Sequence, residues 1–287
     1  GLMKYKNASK LVATLLCCCF IGCSPSNLHH LTILHTNDTH SQVEELEEGK
    51  RDEFCGGYTR RMGVIAQERK VDPNLLLFDA GDFCQGTPYF NFYHGRIEVD
   101  AMNRMGYDVV TLGNHEFDNG VDTLATILRA AQFDVVCANY DMRGTALESI
   151  VKPYTIIRRN GLKIGIFGIG CDPKGLVADK NLQSITFNPP YPIAQQMADT
   201  LRAQKCDVVI CLSHLGTFGK SSYDYNDSTM VATTRGIDAA IGGHTHQMHD
   251  NLRIANKDGY AIPVCQMGKS GVNLGKIVLN LGDKIAK

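Results

Sequence analysis

The sequence predicts an α/β protein in which sheets are covered by helices, and three observations predict it. Short apolar runs rich in Val, Ile and Leu recur along the chain, as strands buried on both faces do. Amphipathic stretches separate them. The chain has 287 residues, 44% of them hydrophobic and 21% charged, which is enough for a large core and excludes a disordered or fibrous chain. Taken in order, strands are expected at Leu31–Leu34, Leu75–Phe78, Asp108–Leu112, Asp134–Ala138, Lys163–Ile169, Asp207–Leu212 and Ala239–Ile241. Helices are expected at Tyr58–Lys70, Ile97–Met105, Val121–Ala131 and Ile193–Gln204. Asn160-Gly161 between two apolar segments predicts a tight hairpin joining Tyr154–Arg159 to Leu162–Ile169. Ile262–Gln266 and Lys276–Leu281 read as closing strands. Val43–Glu53 is acidic and aperiodic, so a solvated loop is expected there. No internal repeat or Pro/Gly/Ser-rich linker divides the chain.

The N-terminus has the pattern of an export signal. Residues 1–22 hold Lys4, Lys6 and Lys10, no acid, and an apolar run from Leu11 to Ile21. That run is shorter than the ~20 apolar residues a spanning helix needs. Phe20-Ile21-Gly22-Cys23 resembles a bacterial lipobox, with Phe20 in place of the usual Leu. The expected organisation is a signal over 1–22, lipidation at Cys23, a tether over 23–30 and one domain over 31–287. The location implied is a membrane-anchored lipoprotein, periplasm-facing in a Gram-negative bacterium. Without the three signal lysines the chain keeps 26 basic against 30 acidic residues, a charge of −4, which excludes a dedicated nucleic-acid binder.

Four of the 11 cysteines belong to the signal region. Seven remain, an odd number without a C-x-x-C pair, so neither a disulfide framework nor a cysteine metal site is expected. Buried small apolar groups account for them, with a single Cys55–Cys84 bridge left open.

Polar residues cluster just beyond the strand ends, where sites form in open α/β sheets. Five ends carry metal-competent groups: His35-Thr36-Asn37-Asp38-Thr39-His40, Asp79-Ala80-Gly81-Asp82, Gly113-Asn114-His115-Glu116, Ser213-His214 and Gly242-Gly243-His244-Thr245-His246. Carboxylates, an amide and imidazoles form a mixed oxygen and nitrogen set, suited to Zn, Mn, Fe, Co or Ni better than to Ca or Cu(I). Seven such groups exceed one tetrahedral site and suffice for two divalent metal ions if one carboxylate bridges. Pairs of ions about 3.5–4 Å apart recur in enzymes that cleave phosphate esters.

The motifs D-x-H, G-D, G-N-H-E, a lone His and G-H-x-H resemble, in order and type, the calcineurin-like metallophosphoesterase superfamily. The strings His35–Ser41, Asp79–Asp82 and Gly113–Asn119 look specifically like the 5′-nucleotidase family. The resemblance implies a four-layer αββα sandwich of two mixed β-sheets flanked by helices. It implies that Asp38, His40 and His246 hold one metal, that Asn114, His214 and His244 hold the other, and that Asp82 bridges them. His115 would face the substrate phosphate, oriented by Asp118, while Glu116 would be structural. Gly113, Gly242 and Gly243 would let backbone pass close to the metals, or serve as ordinary turn glycines. His29, His30, His35, His94 and His249 fall outside the pattern; His249 is expected at the surface. The aromatic stretch Tyr89–Tyr93 is expected to pack as a loop, with a pocket-lining role left open.

The function implied is hydrolysis of a small phosphate ester, a nucleotide in the family pattern, by in-line attack of metal-bound hydroxide. A 2′,3′-cyclic phosphodiesterase, a broad phosphomonoesterase and a metal-binding subunit completed by a partner are the competing readings. Family members usually carry a C-terminal nucleoside-gripping domain, and the chain stops soon after its last predicted strand. That half is therefore expected to be missing or to come from a separate nucleoside-binding polypeptide.

Overall fold

A computed structural model describes residues 29–219 and 224–281; the signal segment and Cys23 lie outside the described residues. The strands are β1 (His29–Thr36), β2 (Leu76–Asp79), β3 (Val109–Thr111), β4 (Asp134–Val136), β5 (Tyr140–Asp141), β6 (Val151–Lys152), β7 (Tyr154–Arg159), β8 (Leu162–Ile169), β9 (Thr186–Phe187), β10 (Val208–Ser213), β11 (Ala239–Ile241), β12 (Met248–His249), β13 (Arg253–Ala255), β14 (Ala261–Met267) and β15 (Gly275–Leu281). The helices are α1 (Tyr58–Val71), α2 (Pro88–Tyr93), α3 (Arg96–Met105), α4 (Val121–Leu128), α5 (Asp179–Leu182), α6 (Pro190–Ala203) and α7 (Asp227–Thr233).

One sheet runs β15-β1-β2-β3-β4-β6, and β15 alone is antiparallel to its neighbour. The other runs β12-β14-β11-β10-β8-β7, with β13 also on β14 and parallel pairing from β8 to β14. β5 and β9 form a small separate ribbon. Both large sheets are mixed, and side-chain alternation explains how they stack. Leu31, Ile33, Leu76 and Phe78 of the first sheet meet Ile164, Ile166, Val208, Ile210 and Leu212 of the second. The opposite faces, Leu75 and Leu77 in one and Val209 and Cys211 in the other, pack on α1, α3 and α4, and on α6 and α7. Three apolar layers therefore separate four structural layers, as the resemblance implied. Each fully buried aliphatic side chain in them contributes roughly 1.5–3 kcal/mol.

Asn160 and Gly161 take left-handed φ of 53° and 77°, and β7 pairs antiparallel with β8 from Tyr154↔Phe167 to Arg159↔Leu162. This is the predicted hairpin. β1 starts at His29, two residues inside the expected tether, because His29 pairs with Leu281 of β15. Helix α4 stops at Leu128, short of Ala131, where the Asn103 side chain donates to the Ala130 carbonyl and accepts the Gln132 amide. The aromatic stretch is helix α2 rather than a loop, with Phe90 buried and Phe92 exposed. Pro88 starts it and His94, at φ 55°, ends it. Cys55 and Cys84 are both free, as are the other five cysteines described. The acidic loop is exposed turn structure, as expected.

Candidate metal centre

The five polar strand ends come from β1, β2 and β3 of one sheet and β10 and β11 of the other. Stacking the sheets brings all five loops to the same rim. Direct bonds fasten them: Asp38 N–H donates to the Gly81 carbonyl (2.9 Å) and His40 N–H to the Asp82 carbonyl (3.0 Å). His214 Nδ1 donates to the Ala80 carbonyl across the two sheets (2.7 Å). Five of the seven expected ligands have left-handed backbone: Asp38 (φ 49°), His40 (46°), Asp82 (56°), His244 (82°) and His246 (55°). Such strain costs about 1–3 kcal/mol per residue and persists where surroundings over-determine it, characteristically at functional sites.

The side chains form two adjoining groups among the described residues. Asp38, His40 and His246 make one; Asp82, His214 and His244 make the other. In the first, Asp38 Oδ1 lies 3.3 Å from His246 Nε2, and the Nε2 atoms of His40 and His246 face each other at 3.0 Å. In the second, Asp82 Oδ2 lies 3.1 Å from His214 Nε2, and Asn114 Oδ1 lies 3.1 Å from His244 Nδ1. His214 Nε2 is also 3.8 Å from Asp38 Oδ1, so the groups share a border. All seven expected ligands are thus brought together. Gly113 and Gly243 sit within this border. A Cβ at Gly113 would strike the Asp82 carboxylate, and one at Gly243 would lie 2.8 Å from His214 Nδ1.

The charges within the cluster act strongly on one another. Burial alone would raise Asp82, but the facing His214 outweighs it and holds the carboxyl well below its ordinary range. Burial would lower His214, but Asp82 and then Asp38 prevail and lift it to about 10. His244 is pushed down to about 4 by burial and then by His214, and His40 is lowered by burial. Two buried carboxylates therefore demand positive charge that His40 and His244 resist carrying. The donor atoms fit a pair of divalent cations. His214 gives its Nδ1 proton to Ala80, so its buried Nε2, which has no hydrogen-bond partner, is the nitrogen left to coordinate.

Beside the groups, His115 Nδ1 and Asp118 Oδ2 are 2.8 Å apart, and the His115 ring lies 5.4 Å from that of His40. The hydrogen bond to Asp118 raises the imidazole's pKa above its ordinary value, against burial, which lowers it. With Nδ1 engaged, Nε2 is the atom available to a phosphate.

Residues 31–248 match the calcineurin-like phosphoesterase family. The chain belongs to that family. Its relatives include 5′-nucleotidase of Rattus norvegicus, 31% identical over 88% of this chain and 47% of the rat protein. Similar solved structures include a 5′-nucleotidase precursor from Thermus thermophilus (29% identity, TM-score 0.76, 90% of this chain and 56% of that one). The calcineurin-like phosphoesterase YfkN of Bacillus subtilis is another (30% identity, TM-score 0.74, 88% and 86%). The chain spans about half the length of the curated 5′-nucleotidases it matches.

Several residues that shape the site were not singled out by the motifs as ligands or proton carriers. Asn37 donates to Asp38 Oδ2 (2.6 Å) and to the Gly268 carbonyl (2.8 Å), and accepts the Met267 amide (2.8 Å), so it ties the first group to the end of β14. Glu116 accepts backbone amides from both the Asp82 and Asn114 loops. Burial, and then the Asp82 charge, push its carboxyl up to about 8, and the amide donors oppose that rise. Asn37 adjoins a ligand in the sequence, but its partners near 267 are visible only in the fold. A groove of about 890 Å³ opens from His246 between the acidic loop, Tyr89 and Ser270, so that loop also walls the approach to the site. His249 is half-buried against Phe218, rings 5.4 Å apart, rather than free at the surface.

Proposed function

We propose that this phosphoesterase hydrolyses nucleotide phosphate esters in the manner of a 5′-nucleotidase, with two divalent ions held by the seven residues and Asp82 shared between them. The observation that carries the proposal is the pair of adjoining carboxylate–imidazole groups flanked by His115 and Asp118. Asp38, His40 and His246 would hold one ion, and Asn114, His214 and His244 the other. Bound there, the ions supply Lewis acidity and a water of lowered pKa, the chemistry that phosphoester cleavage draws on. The protein does the rest. His115 Nε2 faces the phosphate, Asp118 keeps the imidazole protonated, and the cation offsets charge on the phosphoryl oxygens or gives its proton to the leaving oxygen. The nucleotide preference is supported by the 5′-nucleotidases among its relatives.

The test is a substrate panel with metal-replete protein: AMP, UDP-glucose, 2′,3′-cyclic AMP and an aryl phosphate. Preferred release of phosphate from AMP supports the proposal. Preference for the cyclic ester identifies a cyclic phosphodiesterase, and equal use of all monoesters a broad phosphomonoesterase. Two bound ions without turnover points to a metal-binding subunit that a nucleoside-binding partner completes. The proposal includes export and lipid anchoring, supported by the sequence pattern of residues 1–23. Cys23→Ala should move the protein from the membrane fraction to the soluble one. Among the described residues, no helix is long and apolar enough to cross a membrane.

A further inference from the structure

The loops after β2 and β3 lie side by side, and their backbones touch. A Cβ on Gly81 would sit 2.5 Å from the Gly113 amide nitrogen, and one on Gly113 would collide with the Asp82 carboxylate. Three backbone N–H groups converge at this contact on one buried side chain. Glu116 Oε2 accepts from Asp82 N (2.9 Å) and Gly113 N (2.6 Å), and Oε1 accepts from Cys84 N (3.0 Å). In return, Asp82 Oδ1 accepts the His115 amide (2.9 Å). The two carboxylates exchange: each is rooted in one loop and accepts from the backbone of the other. The exchange turns Asp82 Oδ1 toward His115 and leaves Oδ2 facing His214. It also fixes Gly113, and with it Asn114, one residue on.

We infer that Glu116 is a positioning residue: its clasp on the Asp82 and Gly113 amides sets the spacing of Asp82 and Asn114, and thereby the affinity of the second metal group. It belongs to neither candidate metal group. Two carboxyl oxygens serve three amides from one point, and glutamine, of nearly equal shape, puts an NH2 donor in place of one of them. Residues that orient ligands in this way are typically worth about 10–100-fold in metal affinity. The inference rests on the metal-centre reading above.

The test is a competition titration of the metal-free full chain with Zn²⁺ against a chromophoric chelator, alongside thermal melting of the metal-free form. Wild type, Glu116→Gln, Glu116→Asp and a remote core control, Leu124→Ala in α4, are compared. The expected result is that Glu116→Gln weakens the binding step that uses both Asp82 and Asn114 by roughly 10–100-fold, and the other step, which uses Asp82 alone of the two, by less. Leu124→Ala should lower the melting temperature without changing either step. Glu116→Asp keeps both carboxyl oxygens but cannot reach all three amides, so it should weaken the same step, and it carries the comparison if the glutamine variant does not fold. Unchanged affinities in both Glu116 variants would overturn the inference. So would two steps weakened together in proportion to lost stability, the signature of a purely structural role. A wild type that binds fewer than two ions overturns the metal-centre reading itself, and this inference with it.

Discussion

Gly243→Ala adds one methyl group at the junction of the two metal groups, and the structure specifies what it meets. The new Cβ would lie 2.8 Å from His214 Nδ1, 2.9 Å from Asp38 Oδ2 and 3.0 Å from the Ala80 carbonyl oxygen, where ordinary contact begins at 3.4 Å. None of the three is the free end of a flexible side chain. Gly243 has no left-handed φ, so alanine is allowed by the backbone and even gains about 0.4–1 kcal/mol through the unfolded chain. The net effect is therefore steric, and overpacking of this kind costs about 1–3 kcal/mol. The contact most exposed to it is the 2.7 Å bond from His214 to Ala80, which leaves Nε2 as the nitrogen free to coordinate in the proposed centre. Loss of such support lowers metal affinity by about 10–100-fold. Chelator-competition titration of the variant should show that loss, with the metal-free melting temperature only modestly reduced. Gly63→Ala is the matched control, because Gly63 lies in α1 with nothing within 4 Å of its Cβ position. It should stabilise by about 1 kcal/mol and leave metal binding alone. Wild-type metal affinity in Gly243→Ala would refute the packing account of this glycine.

Three further outcomes are expected. His115→Asn should retain both ions, measured by elemental analysis, while kcat falls by about 10²–10⁴-fold; unchanged turnover removes the role assigned to His115. The His115 imidazolium is fully populated below its raised pKa and is lost as pH rises through it, so the rate step that needs it fails on the alkaline side. Asp118→Asn removes the cause of that shift and should move the alkaline limb of the kcat–pH profile to lower pH; a limb that stays in place excludes Asp118 as its source. Asp82→Asn should weaken both ions, because a shared carboxylate serves both, and loss of a single ion in the titration would remove the bridge.

Sequence and fold divide this protein along physical lines. The strands could be read because each is a short Val/Ile/Leu run, and the hairpin because Asn160-Gly161 suits the left-handed turn it forms. Helix α2 could not, since six residues carry too little periodicity, and the end of α4 could not, since Asn103 ends it from another helix. The candidate ligand types could be read because metal coordination demands particular atoms, and those atoms are written into the residues themselves. Their sorting came from resemblance, and the fold shows which side chains meet. Asp38 reaches His246 and Asp82 reaches His214 only because two sheets stack with their loops on one rim. What the chain cannot spell out locally is support from a distance: the Ala80 carbonyl behind His214, Asn37 bonded to Met267, and glycines whose missing methyl is required by a partner from another strand. Residue type alone determined the chemistry available to this protein. Tertiary structure decided which atoms stand within 3–4 Å of one another, because that depends on layer packing and not on any neighbour in the chain.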